Sequence, residues 1–204
     1  MVGGNETEKD PYIISGWIIN IPKMVNGVTG IMITSTSEYF IIKDCYSLGK
    51  KELFGIMLNY LRNAKTENVK IECANSGIYN QISTIQSIKN CAISNCSKVG
   101  IYNEATINSI KNYTVSNCES GIFNGFGSIK FTTNCIILGC KHGINTCYSD
   151  SSIFITNCMF LNCEENFPKN GSVQYITNYN LEYNKEYGLF NNEHTNILYK
   201  PINW

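Results

Sequence analysis

Residues 84–103 read Thr84-Ile85-Gln86-Ser87-Ile88-Lys89-Asn90-Cys91-Ala92-Ile93-Ser94-Asn95-Cys96-Ser97-Lys98-Val99-Gly100-Ile101-Tyr102-Asn103. Ile85 and Ile88 precede Asn90, Cys91 and Ile93 alternate after it, Cys96 starts a turn, and Gly100-Ile101-Tyr102-Asn103 follows. Short β-branched and aromatic pieces cut by Asn, Gly and Ser are too short for useful helices and carry the alternation of strands. The stretch is one copy of a repeat. Glycine followed by an apolar residue recurs at Gly30-Ile31, Gly55-Ile56, Gly77-Ile78, Gly100-Ile101, Gly121-Ile122, Gly143-Ile144 and Gly188-Leu189, with Asn166-Phe167 filling the missing beat. Successive steps are 25, 22, 23, 21, 22, 23 and 22 residues. A second series, Asn68, Asn90, Asn112, Asn134, Asn157 and Asn178, keeps the same period at a fixed offset. Two columns in phase define a solenoid.

A unit of this size with three short strands cannot bury its own apolar face. Stacking on its neighbours at about 4.8 Å per coil buries it and pairs every strand in a parallel sheet. The predicted fold is all-β, a right-handed parallel β-helix of about eight coils with a period of about 22 residues. One domain spans 1–204, with 1–28 as a capping segment, 29–195 as coils and 196–204 as a tail. Three inward columns follow: Val69, Cys91, Tyr113, Cys135, Cys158, Tyr179; then Ile71, Ile93, Val115, Ile137, Phe160, Leu181; then Ala74, Cys96, Cys118, Cys140, Cys163, Asn184. Asparagine tolerates the left-handed bend, and its amide is expected to bond the next coil's backbone in a ladder.

The asparagine column, the Asn-Cys steps at Asn90, Asn95, Asn117, Asn134, Asn157 and Asn162, and the repeated Gly-Ile-Tyr/Phe-Asn resemble the β-helix repeats of NosD-like and pectate-lyase-like proteins. The opening, Asp10-Pro11-Tyr12-Ile13-Ile14-Ser15-Gly16-Trp17, then Ser37 to Cys45, resembles the start of archaeal NosD-like members, which implies an archaeal or archaeal-virus type. This resemblance covers roughly residues 10–195. It implies the fold far more than the activity, since this fold hosts lyases, hydrolases, adhesins and spacers.

Sixteen basic and sixteen acidic residues cancel, and Arg62 is the one arginine. No basic stripe exists for nucleic acid, so no nucleic-acid partner is expected. No apolar run is long enough to cross a bilayer, and the opening Met1 to Thr7 has no signal-peptide character. The chain is read as soluble, with an extracellular or virion-surface location as the expectation.

Ten cysteines include three C-x4-C pairs, Cys91/Cys96, Cys135/Cys140 and Cys158/Cys163, a spacing that can hold zinc or an iron–sulfur cluster. The same columns accept Val69, Tyr113, Tyr179, Ala74 and Asn184, swaps that a packed core tolerates and a metal shell does not. Buried thiols are expected, with no metal and no cofactor; column neighbours about 4.8 Å apart leave disulfides geometrically open.

The resemblance to pectate lyases and polygalacturonases would imply clustered acids, yet the aspartates are only Asp10, Asp44 and Asp150. Glu164, Glu165 and His142 are the candidates for acid/base chemistry, because neighbouring coils bring their turns together. A surface ion pair is the plainer reading, and no catalysis is expected. The residue after each Gly-apolar pair must point outward. That column runs Met32, Met57, Tyr79, Tyr102, Phe123, Asn145, Pro168 and Phe190, and its candidate binding residues are Met57, Tyr79, Tyr102 and Phe123. Exposed aromatic stripes take sugar rings or a second subunit, so the partners expected are a polysaccharide or the chain itself. Three functions are carried forward: a non-enzymatic structural or binding module, a carbohydrate-active lyase or hydrolase, and, from the NosD resemblance, an accessory protein in metal-cofactor maturation.

Overall fold

The computed structural model describes residues 4, 7–20, 28–49, 54–72, 74–147, 153–167 and 175–184. The described residues form twenty strands, each paired in parallel with its counterpart one turn away, and no helix. They make a solenoid with three faces. The glycine face holds the first halves of Ile31–Lys43 and Phe54–Glu67, then Ser76–Gln81, Val99–Asn103, Ser120–Asn124 and His142–Thr146. The lateral face holds Tyr12–Ser15, the second halves of those two long strands, Thr84–Lys89, Thr106–Lys111, Ser128–Thr133, Phe154–Thr156 and Tyr175–Thr177. The third face is a sheet of eight three-residue strands from Ile18–Asn20 to Asn180–Glu182.

The expectation of about eight coils therefore needs correction. Two faces carry eight rungs each, but the glycine face carries six strands, so about six turns are complete. The seventh beat, Asn166-Phe167, is held by an isolated bridge between His142 and Glu165 instead of a strand. The eighth, Gly188-Leu189, lies outside the described residues, as do Asp150, Pro168, Phe190 and the tail at 196–204. The first two turns also differ from the pattern of three short strands. There a single left-handed residue, Ser35 or Tyr60, bends a continuous strand around the corner from the glycine face to the lateral face.

The glycine column has a steric cause. A Cβ on Gly77 would lie 2.6 Å from the Gly100 carbonyl oxygen, and one on Gly100 would lie 2.5 Å from that of Gly121. Only hydrogen fits between the turns. The three inward columns are buried as expected from Val69 through Cys163, with Tyr179, Leu181 and Asn184 partly covered at the far end.

Asparagine serves in two ways, and one was not foreseen. At the corner after the lateral face, Asp44, Asn68, Asn90, Asn112, Asn134, Asn157 and Asn178 all adopt left-handed φ of 50–56°. Their side chains are exposed, and those from Asp44 to Asn134 bond one another instead of backbone. Asn68 Nδ2 donates to Asp44 Oδ1 at 3.0 Å, Asn90 to Asn68 at 3.0 Å, Asn112 to Asn90 at 2.9 Å and Asn134 to Asn112 at 3.3 Å. A second, fully buried ladder comes from the last residue of Gly-Ile-Tyr/Phe-Asn. Asn80 Nδ2 donates to Asn103 Oδ1 and Asn103 Nδ2 to Asn124 Oδ1, both at 2.7 Å, and Asn124 Nδ2 ends the series on the Gly127 carbonyl at 2.8 Å. Below Asn80 the column holds Leu58, so Asn80 Oδ1 has no donor.

Nine cysteines fall among the described residues, all as free thiols, eight of them buried. Thiols bond along the columns between Cys96, Cys118 and Cys140 and between Cys135 and Cys158. Burial pushes the Cys91 and Cys163 thiols up to about 11. Cys118 is drawn down by its bond with Cys140, but its bond with Cys96 and its burial carry it up to about 12. The bond with Cys158, with burial, holds Cys135 higher still.

Two outcomes follow. Thiols of the unfolded chain titrate near 8.5. Because the folded values are raised, stability is intact below that pH and falls as pH rises from about 9 through 11 to 12. Urea denaturation across this range measures it, and a flat profile would contradict the buried thiol columns. Asn103→Ala leaves two buried amides short of a partner and costs about 2–4 kcal/mol, whereas Asn90→Ala at the exposed corner costs about 1–2 kcal/mol of left-handed strain. Denaturation midpoints that rank these in the opposite order would overturn the buried ladder.

Candidate functional site

The glycine face is the face whose outward column is aromatic. Met32, Met57, Tyr79, Tyr102, Phe123 and Asn145 stand in register on successive rungs. Met32 is 61% exposed, and the next five are half-buried. The rings touch: Tyr79 and Tyr102 lie 5.2 Å apart between centroids, and Tyr102 and Phe123 5.0 Å apart, edge to face. Tyr79 Oη donates to Glu104 Oε2 at 2.8 Å. Burial, then this carboxylate, lifts the Tyr79 phenol far above the ordinary tyrosine range, and burial lifts Tyr102 in the same direction.

Beside this stripe runs a groove of about 300 Å³. Tyr102, Phe123 and Asn145 make one wall, Lys98 and Glu119 the other, and Val99, Ser120 and His142 the floor. The groove exists because these floor positions are small or flat, while the preceding residues, at the corner, project charges. At the far end His142 Nδ1 sits 3.2 Å from Glu165 Oε2, so two of the three acid/base candidates meet. Glu164 lies on the corner rung above Lys141, its amide bonded to the Cys140 carbonyl at 3.2 Å.

Three neighbours of the site were not singled out from the sequence. Phe54 occupies the floor column of Ser76, Val99 and Ser120 one rung lower, and its ring stacks on Tyr79 at 4.8 Å. The signal was the break in that column from small residues to phenylalanine. Phe126, 70% exposed, projects from the corner Gly125-Phe126-Gly127. A Cβ on Gly125 would come within 3.2 Å of the Phe123 ring and 3.5 Å of Tyr102, so that corner presses on the stripe. Glu104 was legible only once the turn after Asn103 was placed beside Tyr79.

A larger cavity, about 650 Å³, opens at the first end of the solenoid between Tyr12, Ile14, Trp17, Ile31 and Phe40. Its walls include the first members of the core columns, with Glu38 as the one carboxylate among the lining groups. Polar groups converge at the aromatic groove instead. Of the aspartates, Asp44 is the first member of the corner ladder and Asp10 bonds within the opening turn. Among the described residues no cluster of three or more His, Cys, Asp or Glu is arranged to hold a metal, and no helix is long and apolar enough to cross a membrane.

Compared with known families, residues 15–160 match the right handed beta helix region. No curated protein and no solved structure matches the chain.

Tyr79→Phe should remove from a spectrophotometric titration one tyrosine that ionises only well above pH 10. A variant curve identical to that of the unmodified protein would show that Glu104 and burial do not restrain this phenol.

Proposed function

Because the chain belongs to the right-handed β-helix family, we propose that it acts as a binding module, with the groove beside Tyr102 and Phe123 holding a saccharide. The observation that carries this reading is the juxtaposition in one groove of two aromatic rings with an ammonium, a carboxylate, an imidazole and an amide. Aromatic edges and faces accept the C–H surfaces of sugar rings, and the polar groups supply bonds for hydroxyls. The groove is built on strands of a rigid solenoid, so its side chains are held without ordering a loop. Met57 and Tyr79 extend the stripe toward the first end.

A second reading, self-association, is favoured by the lower part of that stripe. Met32 and Met57 stand on adjacent rungs with Met32 largely exposed, an apolar patch suited to a second copy.

Screening of the purified protein against polysaccharides, with turnover followed alongside, tests the saccharide reading, and the sedimentation of the protein alone tests self-association. The double change Tyr102→Ser and Phe123→Ser should lower saccharide affinity about tenfold or more, at about 1 kcal/mol per ring, while circular dichroism keeps its β signature. Affinity unchanged in the folded double variant would remove the groove from consideration. Turnover abolished by Glu165→Gln would instead make the His142–Glu165 pair catalytic.

A further inference from the structure

Resting on the reading of this groove as a saccharide site, we infer that its ligand is an uncharged segment about three rings long, stopped at one end by Phe54. The first part comes from the sign of the charges. Lys98, Glu119, Lys141 and Glu164 occupy one column on successive rungs, as the backbone bonds from Ser120 to Lys98, His142 to Glu119 and Glu165 to Lys141 require. Positive and negative therefore alternate along the wall. A polymer with a carboxylate on every ring would meet attraction at Lys98, repulsion at Glu119 and attraction again at Lys141. Both ends add negative charge, Glu104 beside Tyr79 and Glu165 behind His142. Sites that gather polyanions present one sign along their length; this wall sums to nothing of the kind. Hydroxyl groups suit it better, since each rung offers them either a donor or an acceptor.

Length follows from the rungs. A parallel stack advances by about 4.8 Å per rung, close to the advance of an extended pyranose chain per ring. The open floor covers the rungs of Val99, Ser120 and His142, about one ring for each. One rung lower the column residue is Ser76, which does not line the groove. Phe54, from the rung below that, leans up to stack on Tyr79 at 4.8 Å and so stands over the place a fourth ring would take. Phe54 is thus a specificity residue that sets where the bound segment ends.

Calorimetry on the full chain with neutral glucose and mannose oligomers, and with uronate oligomers of matched length, tests both parts. Affinity for a neutral series should rise up to about three rings and then level off. It should change less than about twofold between low and high salt, because no ion pair is made. Uronates should bind about tenfold more weakly. Phe54→Ala should move the plateau to about four rings. E119K, at an exposed position, should make the wall cationic from Lys98 to Lys141 and create salt-sensitive uronate binding. Tighter binding of uronates by the unmodified protein, or a strong loss with salt, overturns the charge argument while leaving the saccharide site standing. A plateau that stays in place in folded Phe54→Ala, with E119K behaving as expected, overturns the end stop alone. If no oligomer of either kind binds, the saccharide reading itself falls and this inference falls with it.

Discussion

Each strand of this protein pairs in register with the strand one turn later, and that single constraint organises everything else. A side chain has the same position as its counterparts above and below, so it must be compatible with a copy of itself one rung away. Hydrophobic columns satisfy this by packing Ile71, Ile93, Val115, Ile137 and Phe160 against one another. Glycine satisfies it where the backbones of two turns leave no room for carbon. Amides satisfy it by donating to the next amide, and thiols by bonding to the next thiol. Rings satisfy it by stacking. The aromatic stripe is in this sense a product of the fold before it is a site, and what distinguishes it is the groove left open beside it.

Much of this was legible because identical positions recur at a fixed interval. The glycine beat, the inward columns and the outward order Met57, Tyr79, Tyr102, Phe123 could be read from period and alternation alone. Three features could not. The unequal number of rungs on the three faces depends on where the chain enters and leaves the stack. The beat at Asn166 continues the period, although its hydrogen bonding is a bridge and not a strand. The column of Asn90 and Asn112 and the column of Asn80 and Asn103 look alike in sequence, since both keep the period and both flank bends. One sits at left-handed φ and faces water, while the other turns inward and is completely buried. Only the local backbone separates them.

The site was half legible for a related reason. His142 and Glu165 each lie two residues past a turn cysteine, so register alone brings them together, as their 3.2 Å contact bears out. The groove was harder to anticipate, because it is defined by a column of modest residues, Val99, Ser120 and His142, seen against its bulky neighbours. Its lower limit depends on Phe54, which leans out of its own rung toward Tyr79. Lateral packing of that kind breaks the rule that a column speaks only to itself, and period cannot reveal it.

The asparagine ladders have a direction. Corner amides donate back to the preceding turn, Asn112 to Asn90 and Asn90 to Asn68, whereas the buried amides donate forward, Asn80 to Asn103 and Asn103 to Asn124. A chain that folds as it leaves the ribosome finds every corner acceptor already in place. Its inner amide, by contrast, bonds within its own turn, Asn80 to the Ser83 carbonyl and Asn103 to that of Ala105, and waits for the next turn to supply a second acceptor. At these two turns each added coil therefore completes the amide of the one before it. The Gly127 carbonyl releases the chain from that demand by accepting the amide of Asn124, and on the next turn the column position is Thr146.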